Sequence, residues 1–120
     1  MTSRKARIVL ISPPDERLLS FTKAYLSTLE PPLGLACLAS YTISKGHDVT
    51  LLDCNAEGLS VDGICERIRQ ISPDIVGISV FTSMAKVSCS IAEKTRSISN
   101  KITIVAGGPH IHFMAEDFLQ

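Results

Sequence analysis

The stretch VAGGPH at residues 105–110 decides the fold of this chain, because an apolar β run ends there in two consecutive glycines. Open α/β sheets bind their ligands in the crevice outside the carboxyl ends of the strands. Gly107 and Gly108 carry no Cβ atom, so a flat or bulky ligand can lie directly on their backbone. The stretch therefore predicts a ligand site at the end of a strand.

Three similar apolar runs precede this one. Together the four runs predict strands at residues 8–12, 47–53, 74–80 and 101–106. They are rich in β-branched residues and almost continuously apolar, which is typical of strands covered on both faces. Amphipathic helical patterns separate them, and Ser60 is the predicted N-cap of one such helix. This alternation predicts parallel βαβ units with right-handed crossovers in one domain.

The overall composition favours an ordinary globular domain. Hydrophobic residues make up 45% of the 120-residue chain, charged residues make up 20%, and the formal net charge is zero. A neutral balance gives no reason to expect nucleic acid or an anionic membrane as partner. The apolar runs are far shorter than the roughly 20 residues of a membrane span, and no export segment precedes the first strand. A cytoplasmic location is the resulting expectation.

The four cysteines do not have the spacing of a metal site. Cys37, Cys54, Cys65 and Cys89 include no close pair, whereas zinc and iron–sulfur sites usually need two ligands a few residues apart. Three of them lie in helical patterns, where a free cysteine is typically a small buried hydrophobe. Cys54 follows a strand end, and its role is left open.

Familiar catalytic and nucleotide motifs are absent. The sequence contains no P-loop, no G-x-G-x-x-G after the first strand, no H-E-x-x-H and no G-x-S-x-G. Asp53 closes the second strand, where it either binds a ribose or caps a helix or loop, and capping is favoured. His47 is predicted to be an exposed turn residue and His112 an exposed neighbour of the site. His110 follows the glycine pair and is a candidate ligand contact.

A connection of about twenty residues joins the first strand to its helix, between Pro13 and Pro32. Connections of this length in compact domains are usually functional. This one lies beside the predicted crevice and is placed against the bulkiest part of the ligand. Gly34, near the start of the helix, either permits close packing or admits a polar ligand group, and both interpretations stay open.

Four motifs in this order resemble one family. The motifs are PPLGLA at 31–36, KGHDV at 45–49, DIVGIS at 74–79 and GGPH at 107–110. They resemble the N-terminal cobalamin-binding domain of cobalamin-dependent radical SAM enzymes, a family that includes methyltransferases and the anaerobic magnesium-protoporphyrin monomethyl ester cyclase. The resemblance runs from about residue 8 to 120. It implies a flavodoxin-like (Rossmann-like), doubly wound α/β domain over residues 1–120, with a parallel sheet in the order 2-1-3-4 that holds cobalamin at its carboxyl edge.

The resemblance also implies further parts of a longer enzyme. A downstream radical SAM barrel would carry a 4Fe-4S cluster and S-adenosylmethionine, so the fragment is not expected to be catalytic alone. A fifth strand is expected to be lost by truncation inside the next helix, which begins near Ala115. The fourth strand would then have an unpaired edge, which is a template for self-association.

The same resemblance implies a set of cofactor contacts. In the wider cobalamin-binding fold, a serine in an S-x-L motif and a later Gly-Gly pair line the cleft for the nucleotide tail. Here Ser79 is retained and Phe81 replaces the leucine. The expected cofactor-binding residues are Gly34, Ser79, Thr82, Gly107, Gly108 and His110. We predict no catalytic residue and no metal ligand in this chain.

The sequence departs from the wider cobalamin-binding fold at the position that supplies the cobalt ligand. Cobalamin mutases and methionine synthase carry D-x-H-x-x-G after the first strand, and its histidine ligates cobalt. Here residues 13–17 read PPDER, and no histidine precedes His47. The departure favours the radical SAM branch and predicts base-off cobalamin with no histidine below the metal.

Two other functions are kept open. The first is a flavodoxin-like regulatory or protein-interaction domain with a degenerate cofactor site. The second is a small-molecule enzyme that uses His110 or Cys54 directly, which is weakened because neither residue has a recognisable base or orienting partner in the sequence.

Overall fold

The sheet has the predicted doubly wound order. The computed structural model describes residues 4–15 and 31–119. Within these ranges the order of the four strands is β2-β1-β3-β4, and all neighbouring pairs are parallel. The strands are β1 (Arg7–Ser12), β2 (Asp48–Asp53), β3 (Ile75–Ser79) and β4 (Thr103–Gly107).

Five helices connect the strands or follow them in the described ranges. They are α1 (Leu33–Ser44), α2 (Cys54–Glu57), α3 (Val61–Ile71), α4 (Ala85–Ile98) and α5 (Pro109–Leu119), and a 3₁₀ turn (Thr82–Met84) precedes α4. The last helix begins at Pro109, six residues before the predicted start near Ala115, and has a kink at Met114. The short helix α2 was not predicted, because four residues are too few to show a helical repeat.

The main core lies between the sheet and the helices α3 and α4. Alternate side chains of the central strands point to this face, and the register pairs Val9 with Val76 and Ile11 with Ile78. These residues are buried together with Ile64, Ile68 and Ile91 from the helices. Aliphatic side chains in this arrangement supply most of the apolar area that stabilises the domain.

Polar side chains fix the starts of two helices. The Ser60 hydroxyl accepts a hydrogen bond from the Gly63 N–H at 3.1 Å, which confirms the predicted N-cap of α3. Asp53 caps α2 by accepting from the Ala56 N–H at 3.3 Å. Of the two interpretations of Asp53, the structure therefore supports capping.

The opposite face of the sheet is only partly covered by described residues. Helix α1 packs over β2 and β1, whereas α3, α4 and α5 lie on the core side. Val105, in the middle of β4, is consequently 51% exposed. The outer surface of α1 is also exposed, and Cys37 lies there, so the prediction that this cysteine is buried is wrong. Cys54 and Cys65 are buried, and Cys89 is half-buried.

The chain that leaves β1 is anchored toward β2. Pro13 and Pro14 are buried, and the Asp15 N–H donates to Asn55 Oδ1 at 2.9 Å. Most of the long connection predicted between Pro13 and Pro32 lies outside the described residues. In the described ranges, no helix has both the length and the apolarity that crossing a bilayer requires.

One buried hydroxyl has no partner among the described residues, namely that of Ser88 on α4. An unpaired buried hydroxyl costs about 1–3 kcal/mol in desolvation. We expect Ser88→Ala to raise the free energy of unfolding by about 1 kcal/mol in urea titrations. Ser97→Ala on the same helix is the control, because Ser97 is exposed and its hydroxyl donates to the Glu93 carbonyl at 3.1 Å. Equal effects of the two substitutions would show that helix propensity, and not desolvation, is responsible.

Candidate functional site

A cavity of about 430 Å³ lies on the incompletely covered face of the sheet, between α1 and strands β1, β3 and β4. Its volume is within the range of about 300–1,000 Å³ that is typical of small-molecule sites. The described residues that line it are Ile8, Leu10, Gly34, Leu35, Leu38, Thr42, Ile75, Gly77, Ile78, Ser79, Val105, Gly107 and Gly108. None of these lining residues is charged, so the cavity suits an apolar group with a polar end at the rim.

The rim of the cavity lies at the carboxyl ends of β3 and β4. Ser79 and Gly107 are register partners in the parallel ladder. Hydrogen bonds continue past them: the Val80 N–H donates to the Gly107 carbonyl at 2.7 Å, and the His110 N–H donates to the Val80 carbonyl at 3.1 Å. The predicted serine and glycines therefore meet at one rigid edge of the sheet.

Different structural features explain why glycine occupies each of the two positions of the pair. At Gly108 φ is +100°, and a Cβ atom would lie 2.9 Å from the Val80 carbonyl oxygen. At Gly107 φ is not positive, and a Cβ atom would meet no atom of the described residues within 4 Å. Gly108 is required by the backbone turn, whereas Gly107 leaves open space that belongs to the cavity.

The start of α1 forms the opposite wall. Gly34 lies in the first turn, where a Cβ atom would meet no described atom within 4 Å. No side chain of the described residues caps this helix, and its first turn contains no acidic residue. Both interpretations of Gly34, close packing and a ligand contact, remain predictions.

Gly77 has a packing role in the floor of the cavity. A Cβ atom on Gly77 would lie 2.8 Å from Leu10 Cδ2. The two residues are register partners on β3 and β1. Gly77 thus makes room for the Leu10 side chain, which forms part of the apolar floor.

Thr82 and His110 lie outside the cavity lining. His110 Nδ1 and Thr82 Oγ1 are 3.3 Å apart and connect the turn after β3 to the start of α5. His110 also lines a second, shallower groove beside α4, together with Lys86, Glu93 and Asp117. The structure therefore brings four of the six predicted residues to the cavity and places these two at the neighbouring edge.

The remaining histidines are not part of the site. His47 is half-buried, and its Nδ1 accepts a hydrogen bond from the Ala6 N–H at 3.1 Å. It lies before β2, at the amino edge of the sheet, so the prediction of an exposed turn residue is wrong. His112 is exposed, as predicted, and its ring packs edge-to-face on Phe113 with centroids 4.8 Å apart.

Cys54 is unsuited to nucleophilic chemistry. Burial, followed in importance by the nearby carboxylates of Glu57 and Asp53, raises the pKa of its thiol to about 12. Because the thiolate is the nucleophile, this cysteine is inert near neutral pH. Among the described residues, no three His, Cys, Asp or Glu side chains are grouped so that they could hold a metal ion.

Sequence reasoning missed the apolar walls of the cavity. Leu10 and Leu38 contribute to them but lie in no motif, and Val105 begins the stretch VAGGPH without having been predicted as a contact. The strand positions had a detectable signal, since residues two apart on a strand share a face and Val105 therefore lies on the face of Gly107. On α1, helical spacing places Leu35, Leu38 and Thr42 on one stripe, but that the stripe borders a cavity depends on how the helix packs.

A comparison with protein-family models gives one match that covers most of the chain. The model described as "B12 binding domain" matches residues 20–120. Two curated proteins are similar over most of the chain. An uncharacterised methyltransferase of Pyrococcus horikoshii is 39% identical over 110 residues, which are 92% of this chain and 23% of that protein. An anaerobic magnesium-protoporphyrin IX monomethyl ester cyclase of Synechocystis is 34% identical over 112 residues, 89% of this chain and 22% of that protein.

A solved structure has the same fold. The cobalamin-dependent S-adenosylmethionine radical enzyme OxsB, with aqua-cobalamin and S-adenosylmethionine bound, superposes with a TM-score of 0.72 and 22% identity. The match covers 96% of this chain and 15% of that one. The chain therefore spans less than a quarter of the length of each of these proteins.

The two glycines should respond differently to a methyl group. We expect Gly108→Ala to lower the free energy of unfolding by about 2 kcal/mol, because it combines a strained φ with a backbone clash. Gly107→Ala should change it by less than about 0.5 kcal/mol, since its Cβ enters open space. Urea unfolding followed by circular dichroism measures both values. A similar decrease in the free energy of unfolding for both variants would contradict the different roles assigned to Gly107 and Gly108.

Proposed function

The chain belongs to the B12 binding domain family, and we propose that it is the cobalamin-binding module of a radical SAM enzyme of the methyltransferase or oxidative-cyclase type. One observation carries the proposal: the cavity opens at the carboxyl ends of β3 and β4, beside the point where the strand order reverses, and Gly107 leaves a space there that a Cβ atom would enter. Ligands of doubly wound sheets bind at this topological switch point.

The described residues fit the nucleotide tail of cobalamin. The tail ends in a flat aromatic base, which suits an uncharged cavity with aliphatic walls. Ser79 places a hydroxyl group at the rim, where the sugar and phosphate of the tail would pass. The uncapped first turn of α1 lies across from it, so Gly34 admits a polar group of the cofactor to the backbone N–H groups of that turn.

In this proposal the chain binds and orients the cofactor. Gly34, Ser79, Gly107 and Gly108 hold the tail at the cavity. Thr82 and His110 lie at the adjoining edge, where a hydroxyl group and an imidazole can hydrogen-bond the amide side chains of the corrin ring. Bound cobalamin supplies a cobalt centre that carries a methyl group or changes its oxidation state.

The remainder of the parent enzyme is part of the same proposal. The names of the similar proteins include a methyltransferase, a cyclase and a radical SAM enzyme, all several times longer than this chain. We infer that residues 1–120 form one domain in a cytoplasmic enzyme whose radical SAM domain holds S-adenosylmethionine and a 4Fe-4S cluster. Strand β4 is the outermost described strand, and its free edge is a site for a fifth strand or for self-association.

The alternative is a regulatory or protein-interaction domain with a degenerate cofactor site. The exposed apolar side chains of α1, including Leu33 at 72% and Tyr41 at 64% exposure, are the observation in its favour. They do not oppose cobalamin binding, because a domain of a longer enzyme needs such surfaces for its neighbours. The open cavity favours the cofactor-binding proposal.

Cobalamin binding is tested by substitution at the cavity rim. The wild-type protein is mixed with hydroxocobalamin and passed through a gel-filtration column, and the retained cobalamin is measured by absorbance. Gly107→Val should reduce retention at least about tenfold, because its branched side chain occupies the space required by the ligand. Thr103→Val is the control, since it lies exposed at the far end of the same strand. Retention by Gly107→Val equal to that of the wild type would remove this glycine from the site.

The cobalt is expected to have no histidine ligand. His47 lies at the amino edge of the sheet, and the segment after β1 contains no histidine. His110 lies at the carboxyl edge after β4, where the proposal assigns its imidazole to the amide side chains of the corrin ring. The electron paramagnetic resonance spectrum of the bound Co(II) form should therefore lack nitrogen superhyperfine splitting from an axial ligand. Observation of that splitting would contradict base-off binding without histidine.

A further inference from the structure

The inner part of the cavity offers a bound base almost no polar partner among the described residues. Its lining extends along β3 from Ser79 to Ile75, which is roughly 13 Å at about 3.3 Å per residue. Below Ser79, the strand side chains that face the cavity are aliphatic, including Leu10 and Val105. Their backbone groups belong to the parallel ladders of the sheet.

The second hydroxyl group of the lining is already engaged. Thr42 Oγ1 donates to the Leu38 carbonyl at 2.7 Å, within α1. A base in the cavity would therefore meet no free side-chain donor from α1 or the strands in the described ranges, apart from the serine at the rim. Apolar edges are accommodated there, whereas the ring nitrogens of a base would find no donor among the described side chains of these walls in place of water.

The lack of side-chain donors in the inner cavity distinguishes two kinds of corrinoid, which differ in their lower base. Dimethylbenzimidazole, the lower base of cobalamin, presents carbon atoms and two methyl groups at its outer edge. Adenine, the lower base of other natural corrinoids, presents ring nitrogens and an amino group. Each polar group that is buried without a partner weakens binding by about tenfold.

We propose that this domain selects its corrinoid by the lower base, and that it prefers benzimidazole corrinoids to adenine corrinoids. The inference rests on the proposed function, because it requires the nucleotide tail to occupy this cavity. The wall that makes the selection consists of Leu10, Leu38, Ile75 and Val105. Its aliphatic character determines the preference, and the corrin ring itself takes no part in it.

The test is a comparison of dissociation constants for three ligands, measured by absorbance titration of the 120-residue protein. The ligands are hydroxocobalamin, its adenine counterpart and cobinamide, which lacks the lower nucleotide. We expect cobalamin to bind at least about tenfold more tightly than the adenine corrinoid. Cobinamide should bind more weakly than cobalamin, since it leaves the cavity empty.

A pair of substitutions on α1 locates the effect. Leu38→Gln places an amide group in the wall at a side chain that is already 49% exposed, so the fold should tolerate it. It should reduce the ratio of the two dissociation constants to less than half of its wild-type value. Tyr41→Gln is the matched control, because Tyr41 lies three residues away on the same helix, is exposed and does not line the cavity. For Tyr41→Gln, the ratio of the two dissociation constants should equal that of the wild type.

The outcomes separate this inference from the proposed function. If the wild-type protein binds none of the three corrinoids, the proposed function fails. If it binds cobalamin and the adenine corrinoid equally, cobalamin binding stands and selection by the lower base is overturned. If the ratio is large but does not respond to Leu38→Gln, the selection is made elsewhere, and the role of this cavity wall is overturned.

Discussion

Strand β1 pairs in parallel with β2 on one side and with β3 on the other, and this double pairing determines where a ligand can bind. The connection from β1 to β2 and the connection from β2 to β3 lead in opposite directions along the sheet. Right-handed crossovers then place α1 on one face and α3 on the other. The segments that follow β1 and β3 leave the carboxyl edge of the sheet toward opposite faces, and their separation creates a crevice between these two strands. Because α1 covers only β2 and β1, the crevice continues into the apolar cavity over β3 and β4.

The larger part of the fold could be predicted because its signals are local. Continuous β-branched runs indicated all four strands, and the helix start at Ser60 follows from a single side-chain hydrogen bond. Errors arose where tertiary packing decides the outcome. Cys37 was expected to be buried because a free cysteine in a helical pattern usually is, but it lies on the exposed outer surface of α1. His47 precedes a strand as expected, but a hydrogen bond to a distant backbone N–H half-buries it.

The site shows a similar division between local and tertiary information. The glycine pair could be assigned to the site from the sequence, because two adjacent glycines at a strand end indicate either a backbone turn or a close approach of a ligand. That the pair combines a turn residue with a cavity residue follows from dihedral angles and from the distance to Val80, which no composition pattern encodes. The walls from α1 belong to an apolar stripe that helical spacing shows, since Leu35, Leu38 and Thr42 lie three or four residues apart. That this stripe borders a cavity over β3 depends on the placement of the helix over β2 and β1, which is tertiary information.

The contact between Gly77 and Leu10 has an evolutionary consequence. A Cβ atom at position 77 would approach Leu10 Cδ2 to 2.8 Å, and this atom is the end of a flexible side chain that can change its rotamer. A small residue at position 77 would therefore displace the Leu10 side chain, and the two positions are coupled through the shape of the cavity floor. Divergence at position 77 can thus remodel the floor while the residue that forms it, Leu10, stays the same.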